Sequence, residues 1–332
     1  MVEATQEIIK MNDWGHGTPG QNGLILKKRP SSYLNNLPRL LIMLFLGTLM
    51  LFSLLQAKPP QSKADASATA SLLTLPDTFP ELNAHAYLIK IAGQDLILAR
   101  QREWKKLPPA SLTKLLTAIL AYEHLNDYKK VAFSQESLAT ENNKTGARGR
   151  EEFYARDLIT FLVISSANDA ALLLAETIGE KYGGVNFEEK IRAFGALMNK
   201  KAGEIGLRNS SFKNPTGLDE ADHLSTAEDL ALLSEYTWRN YPQLWTLTRS
   251  PQSTIFSSAG QTYQIANTNE LLEEFPAILG GKTGFTDNAK GNLILLYPIK
   301  KSGDVAIIVI LRSEDRFGDG RKIIQWLEFV NQ

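Results

Sequence analysis

The stretch Pro108 to Glu123, PPASLTKLLTAILAYE, constrains this chain more than any other, because it sets Ser111 and Lys114 at the start of an apolar helix. Residues three apart share a helix face, so a hydroxyl and an amine stand one turn apart. A lysine that loses its proton there can act as base toward the serine, as an activated nucleophile requires. It does so only where desolvation or nearby positive charge lowers its pKa.

Ser-x-x-Lys by itself describes an ordinary exposed pair near a helix N-terminus, and two further features change its weight. Ser166-Ala167-Asn168 lies between the apolar run Phe161 to Ile164 and the helical pattern Ala170 to Ile178. It is therefore expected on a turn between helices, from which side chains project into a cleft. Lys282-Thr283-Gly284 is set in Gly-Gly-Lys-Thr-Gly-Phe-Thr. Ser-x-x-Lys, Ser-x-Asn and Lys-Thr-Gly, in that order, form the signature of penicillin-binding proteins and serine β-lactamases.

On these motifs the chain resembles the low-molecular-weight penicillin-binding proteins, specifically the D-alanyl-D-alanine carboxypeptidases among the serine peptidases. The resemblance runs from about Leu82 to the C-terminus and takes in PASLTK, SSANDAA, IGLRNSSFKNPTGLD, HLSTAEDLA, NTNELL, GGKTGFTDNAKGNL and SEDRFGD. It implies an α+β, β-lactamase/transpeptidase-like fold: an antiparallel sheet flanked by helices, with Lys282 on an edge strand, and a mainly helical lobe bringing Ser166 across the cleft.

The resemblance also implies roles. Ser111 would attack the carbonyl of the penultimate D-alanine, with Lys114 as base, kept short of full protonation by Lys282. Ser166 would pass the proton to the departing D-alanine, and Asn168 would hold the substrate amide and orient Lys114. Lys282 and Thr283 would engage the terminal carboxylate, and Gly284 would let the substrate backbone approach the edge strand. The backbone N–H groups of Ser111 and Phe285 would form the oxyanion hole. Arg316, before Phe317, matches an arginine that helps hold substrate in relatives, although the loop is short here. Peptidoglycan stem peptides are the implied substrate, and β-lactam antibiotics the implied covalent inhibitors.

Composition excludes other chemistries. The chain has no cysteine, which removes a thiol nucleophile, a disulfide framework and Cys-ligated zinc. Its histidines, His16, His85, His124 and His223, are too scattered for a metal site, and no metal or cofactor is called for. Net charge is zero, with no basic block interleaved with aromatics, so nothing points to nucleic acid. The phosphate-loop pattern around Lys282 fails, because Phe275 stands where its first glycine is required.

Residues 1–39 are polar, rich in Gly and Asn, and read as a disordered cytoplasmic tail ending in Lys27, Lys28, Arg29 and Arg39. Leu40 to Ala57 is uncharged and near the short end of what spans a bilayer. It reads as a transmembrane anchor with the N-terminus inside. The reading places the chain in the bacterial cytoplasmic membrane, with the catalytic domain outside the cytoplasm. The Ala-rich patterns at Ala64 to Ala70 keep a cleaved signal peptide open as the alternative. Residues 58–80, rich in Pro, Ser, Ala and Thr, read as a linker, and residues 81–332 as the catalytic domain. Since the chain stops soon after Trp326, it is expected to lack the β-rich C-terminal domain that many relatives add.

Within residues 81–332, HAYLIKIAG and DLILAR read as a β-hairpin. Helices are expected at about Phe187 to Ile205 and Thr226 to Tyr236, the second opened by Ser225 and Glu228 at capping-box spacing. NLILLYPIKK and DVAIIVILR read as strands and Gly320 to Val330 as an amphipathic final helix. His223 reads as a loop or packing residue, Asp169 as charge complementarity at a helix N-terminus. Glu204 superficially suggests a β-lactamase deacylation residue, but its segment matches the carboxypeptidase pattern. A D,D-endopeptidase and a penicillin-recognising protein with little turnover remain as rivals.

Overall fold

The computed structural model describes residues 79–330. The tail, the anchor and nearly all of the linker expected from the sequence lie outside the described residues. Among the described residues, no helix is long and apolar enough to cross a membrane.

In chain order the elements are β1 (Ala86–Ile91), β2 (Ile97–Gln101), a 3-10 turn (Ala110–Thr113), α1 (Lys114–His124), β3 (Lys130–Ala132), α2 (Gln135–Leu138), β4 (Glu152–Tyr154), α3 (Ala155–Ile164) and α4 (Asn168–Lys181). Then follow α5 (Phe187–Ile205), α6 (Ala227–Asn240), α7 (Pro242–Thr248), β5 (Gln252–Phe256), β6 (Thr262–Ala266), α8 (Leu271–Glu274), β7 (Gly280–Thr286), β8 (Lys290–Ile299), β9 (Asp304–Ser313) and α9 (Arg316–Val330).

The main sheet runs β2-β1-β9-β8-β7, antiparallel throughout. The expected N-terminal hairpin thus pairs with the last strand and closes the domain. β8 and β9 read as continuous apolar runs because both sheet faces are covered. Ile294, Leu296, Ile307 and Val309 join the core of the helical side, whereas Leu293, Leu295, Ile308 and Ile310 meet Ile323, Ile324 and Leu327 of α9. Alternation of side chains across a strand separates the two sets.

α1 is the hub of the helical lobe. Every residue from Lys114 to Ala121 is buried, and α3, α4, α5 and α6 pack around it. That enclosure is why the helix is apolar all round. Burial of Leu115, Leu116, Ile119 and Leu120 stabilises it by roughly 1.5–3 kcal/mol per side chain. α1 therefore fixes Ser111 and Lys114 against the rest of the lobe.

Two local expectations are corrected. The cap of α6 is Thr226, whose hydroxyl accepts the Asp229 N–H at 3.1 Å. Ser225 is buried instead, bonded to Ser210 and paired through its backbone with Leu107. The final helix begins at Arg316, four residues before Gly320. Asp315 accepts the Gly318 N–H there at 2.8 Å, and buried Asp319 accepts from Ser313 Oγ at 2.7 Å.

Candidate active site

The three motifs meet where the sheet edge faces the helical lobe. The 3-10 turn carries Ser111, the turn between α3 and α4 carries Ser166, and the edge strand β7 carries Lys282, as the resemblance implied. Two of the positions are backbone-strained: Ala110, just before the serine, has φ +48°, and Ser166 has φ +62°. Non-glycine residues hold that region at a cost, and such strain gathers at functional sites.

Lys114 is wholly buried. Its Nζ lies 2.9 Å from Ser111 Oγ, 2.7 Å from Asn168 Oδ1 and 2.6 Å from the Thr216 carbonyl. Desolvation first, then the nearby charges of Lys282 and Lys144, hold its pKa well below the usual lysine range. A neutral amine has two N–H donors and one lone pair. Asn168 Oδ1 and the Thr216 carbonyl oxygen can only accept and take the donors, leaving the lone pair of a neutral amine for the Ser111 hydroxyl.

Lys282 is equally buried and donates to Ser166 Oγ at 2.8 Å and to the Thr283 carbonyl at 2.9 Å. Its pKa is lowered to about 7 by burial, then by Lys144 and Arg316. The Thr283 hydroxyl meets that of Thr268 at 2.5 Å. Asn168 also donates Nδ2 to the Glu141 carbonyl at 2.8 Å, which fixes its amide orientation toward Lys114.

β7 leaves its outer edge open. Gly281 donates away from β8, to Thr248 Oγ1 at 3.1 Å. By the alternation of an antiparallel ladder, the N–H groups of Thr283 and Phe285 also point off the edge. Gly284 lies against the turn that carries the serine, such that an added Cβ would stand 3.0 Å from the Ser111 nitrogen. A strand edge so placed can pair with an extended peptide while its Phe285 N–H and the Ser111 N–H face one carbonyl oxygen.

Ser111, Ser166, Asn168, Thr283, Gly284, Phe285 and Arg316 all line one cleft of about 250 Å³, with Lys114 and Lys282 beneath it. Arg316 stands over the rings of Phe285 and Phe317, at 5.8 and 4.5 Å from their centroids. A larger hollow of about 610 Å³, bordered by α4, α5 and the loop at Phe212 to Glu220, contains none of the motif residues. The sequence reading did not single out Thr216, Thr268 or Lys144. Thr216 had a signal in the Asn-Pro-Thr-Gly turn, where Asn214 Oδ1 receives the N–H groups of Thr216 and Gly217. Lys144 had none.

His223 is the packing residue expected. It is buried behind the turn, 2.9 Å from Thr113 Oγ1, and accepts the Lys213 N–H. Glu204 pairs with Lys201 and Lys200 on α5 and does not line the cleft. Asp169 sits in the first turn of α4 as expected, yet its carboxylate serves the loop at Lys144 and Thr145.

The profile of the D-alanyl-D-alanine carboxypeptidase family, peptidase family S11, matches residues 74–314, and the chain belongs to that family. It is 30% identical over 239 residues to D-alanyl-D-alanine carboxypeptidase DacF of Bacillus subtilis, covering 70% of this chain and 58% of that protein. It is 29% identical to the D-alanyl-D-alanine endopeptidase of Escherichia coli, covering 88% of this chain and 90% of that one. Among solved structures, the D-alanyl-D-alanine carboxypeptidase of Mycobacterium tuberculosis aligns at 26% identity with a TM-score of 0.66, over 76% of this chain and 94% of that one. The Streptomyces K15 DD-transpeptidase, at 24% identity and a TM-score of 0.68 over 76% of this chain and 99% of that one, shares the fold. The chain therefore spans under two thirds of the length of the B. subtilis relative.

Proposed function

We propose that this chain is a serine-type D-Ala-D-Ala carboxypeptidase that removes the terminal D-alanine of peptidoglycan stem peptides through an acyl-enzyme on Ser111. The observation that carries this is the Lys114 amine, buried, held by two acceptors and 2.9 Å from Ser111 Oγ. Ser111 Oγ attacks the penultimate carbonyl as its proton passes to Lys114. The tetrahedral oxyanion is held by the Ser111 and Phe285 N–H groups. Ser166, bonded to Lys282, relays the proton held by Lys114 to the D-alanine nitrogen as the C–N bond breaks, which leaves Lys114 neutral again. The carboxylate of the departing D-alanine rests against Thr283, Lys282 and Arg316. Water, deprotonated by the neutral Lys114, attacks the acyl carbonyl, and the same proton passes to Ser111 Oγ as the ester bond breaks, which releases the acid and regenerates the serine. A β-lactam would acylate Ser111 and remain, because its leaving group stays tethered.

Residues 40–57 are proposed as the membrane anchor, with residues 1–39 inside and the catalytic domain outside the cytoplasmic membrane. This rests on the uncharged apolar run and the basic residues before it.

A second reading, D,D-endopeptidase, is favoured by the near full-length match to the E. coli endopeptidase and by 31% identity to that of Pseudomonas aeruginosa. Both reactions use the same acyl-enzyme, so substrate decides. Purified protein is expected to release D-alanine from a free pentapeptide faster than it splits a cross-linked dimer. The reverse order of rates would replace the carboxypeptidase reading with the endopeptidase one, and cleavage of neither would remove both.

A further inference from the structure

Lys144 lies in the loop between α2 and β4 and lines the cleft beside Asn142, Ser166 and Asn168. That loop is fastened to the start of α4. Asp169, wholly buried, accepts the N–H of Lys144 at 3.3 Å and of Thr145 at 3.1 Å, together with the Thr145 hydroxyl. Asn168 donates its backbone N–H to the Asn142 carbonyl at 3.4 Å and its side-chain amide to the Glu141 carbonyl at 2.8 Å. Two successive residues of α4 therefore clamp both ends of residues 141–145, and one of them is the Asn168 that holds Lys114.

We propose that Lys144 is a positioning residue of the reaction: Asp169 holds the backbone of its loop at the cleft, and its positive charge acts on both motif lysines and on the place where the substrate carboxylate lies. This rests on the acyl-transfer reading above. The cleft lining already includes Arg316 and lies over Lys282, and no carboxylate is among the described residues that line it. Lys144 enters no ion pair among the described residues. Its ammonium is thus not neutralised by a carboxylate partner there, at the rim of the cleft that an anion would enter.

The charges around the two amines are few. Lys114 is faced by Lys282 from β7, by Lys144 from the loop and by Asp169 from α4. Asp169 accepts the loop N–H groups and acts on Lys114 in the opposite sense to the two lysines, raising its pKa. His223, behind Thr113, is held neutral, its pKa pulled down to about 4 by burial and then by Lys213 and Lys114. Lys282 is faced by Lys144 and by Arg316 from α9, beside which stands Glu270. Burial is the larger cause of amine neutrality at both lysines, and Lys144 is a named contributor at each. The tether keeps the backbone from which Lys144 projects at the rim of the cleft.

The test compares the full chain with Lys144→Met and Lys144→Arg, measuring acylation by a fluorescent penicillin from about pH 5 to about pH 10. Removing a positive charge raises the pKa of the neighbouring amines, so fewer are neutral and the acid limb of the profile moves to higher pH. For Lys144→Met, acylation near neutral pH is expected to fall by about tenfold and the acid limb to rise by about one pH unit, with Lys144→Arg close to wild type. The tether uses the backbone N–H of residue 144, so the thermal midpoint should stay unchanged in both. A Met variant acylated at the wild-type rate with an unmoved limb overturns the inference, as does an Arg variant no better than Met. A wild type that is never acylated overturns the acyl-transfer reading itself, and this inference with it.

Discussion

Methionine in place of Lys114 is expected to slow acylation of Ser111 by about 10³-fold while the domain stays folded. Among the described residues the amine is the one group bonded to Ser111 Oγ that can take its proton, since Asn168 and Thr216 reach the amine and not the serine. Folding should tolerate the change. Two acceptors lose their donor, at roughly 1–3 kcal/mol each, but the burial of a basic nitrogen is relieved. The sign of the pH dependence gives a second readout. Lys114 has a folded pKa well below the unfolded 10.5, so the unfolded state binds more protons between those values and stability rises with pH. The contribution is complete above the unfolded pKa and is lost as pH falls toward the folded one. Lys114→Met should remove this part of the slope in thermal midpoint against pH. Acylation of the variant within about tenfold of wild type would assign the base to another group.

Alanine at Gly217 is expected to damage stability and chemistry together. Gly217 has φ +84°, and an added Cβ would fall inside the Ala110 carbonyl and 3.0 Å from the Ser111 nitrogen. The left-handed backbone costs about 1–2 kcal/mol for alanine, and the clash a further 1–3 kcal/mol or so. The strain cannot be relieved locally without moving Ala110, itself at φ +48°, or the Thr216 carbonyl that receives Lys114. Denaturant unfolding should therefore show a loss of about 2–5 kcal/mol, and Ser111 should acylate slowly even below the melting transition. Gly183→Ala is the control: its φ is +92°, but nothing lies within 4 Å of an added Cβ. It should cost only the backbone term. Equal effects at both glycines would show that the close approach to Ala110 does not govern the serine.

What the sequence disclosed follows from the range over which each signal acts. α1, β8 and β9 carry long apolar runs because most of their residues are covered on all sides, and such runs read directly. Ser111 and Lys114 are one turn apart, so their meeting is a property of the helix. Ser166 and Lys282 are bonded across a separation of 116 residues, and only the resemblance brought them together beforehand. Lys144 escaped notice because its place depends on Asp169, 24 to 25 residues later along the chain. The start of α9 was hidden by Gly318 and Gly320, poor helix formers. At Gly320 an added Cβ would stand 2.8 Å from Leu271 and 2.9 Å from Leu293, so packing selects glycine against helix propensity. The positive φ of Ser166 has no signature in a residue type that usually avoids it.

The most direct test of the account is the intact mass of the purified chain after exposure to penicillin, run beside Ser111→Ala. The account predicts one stable adduct of the mass of the drug on the wild type and none on the variant. A folded wild type that gains no adduct and leaves the drug intact, or an adduct that persists on Ser111→Ala, would contradict it.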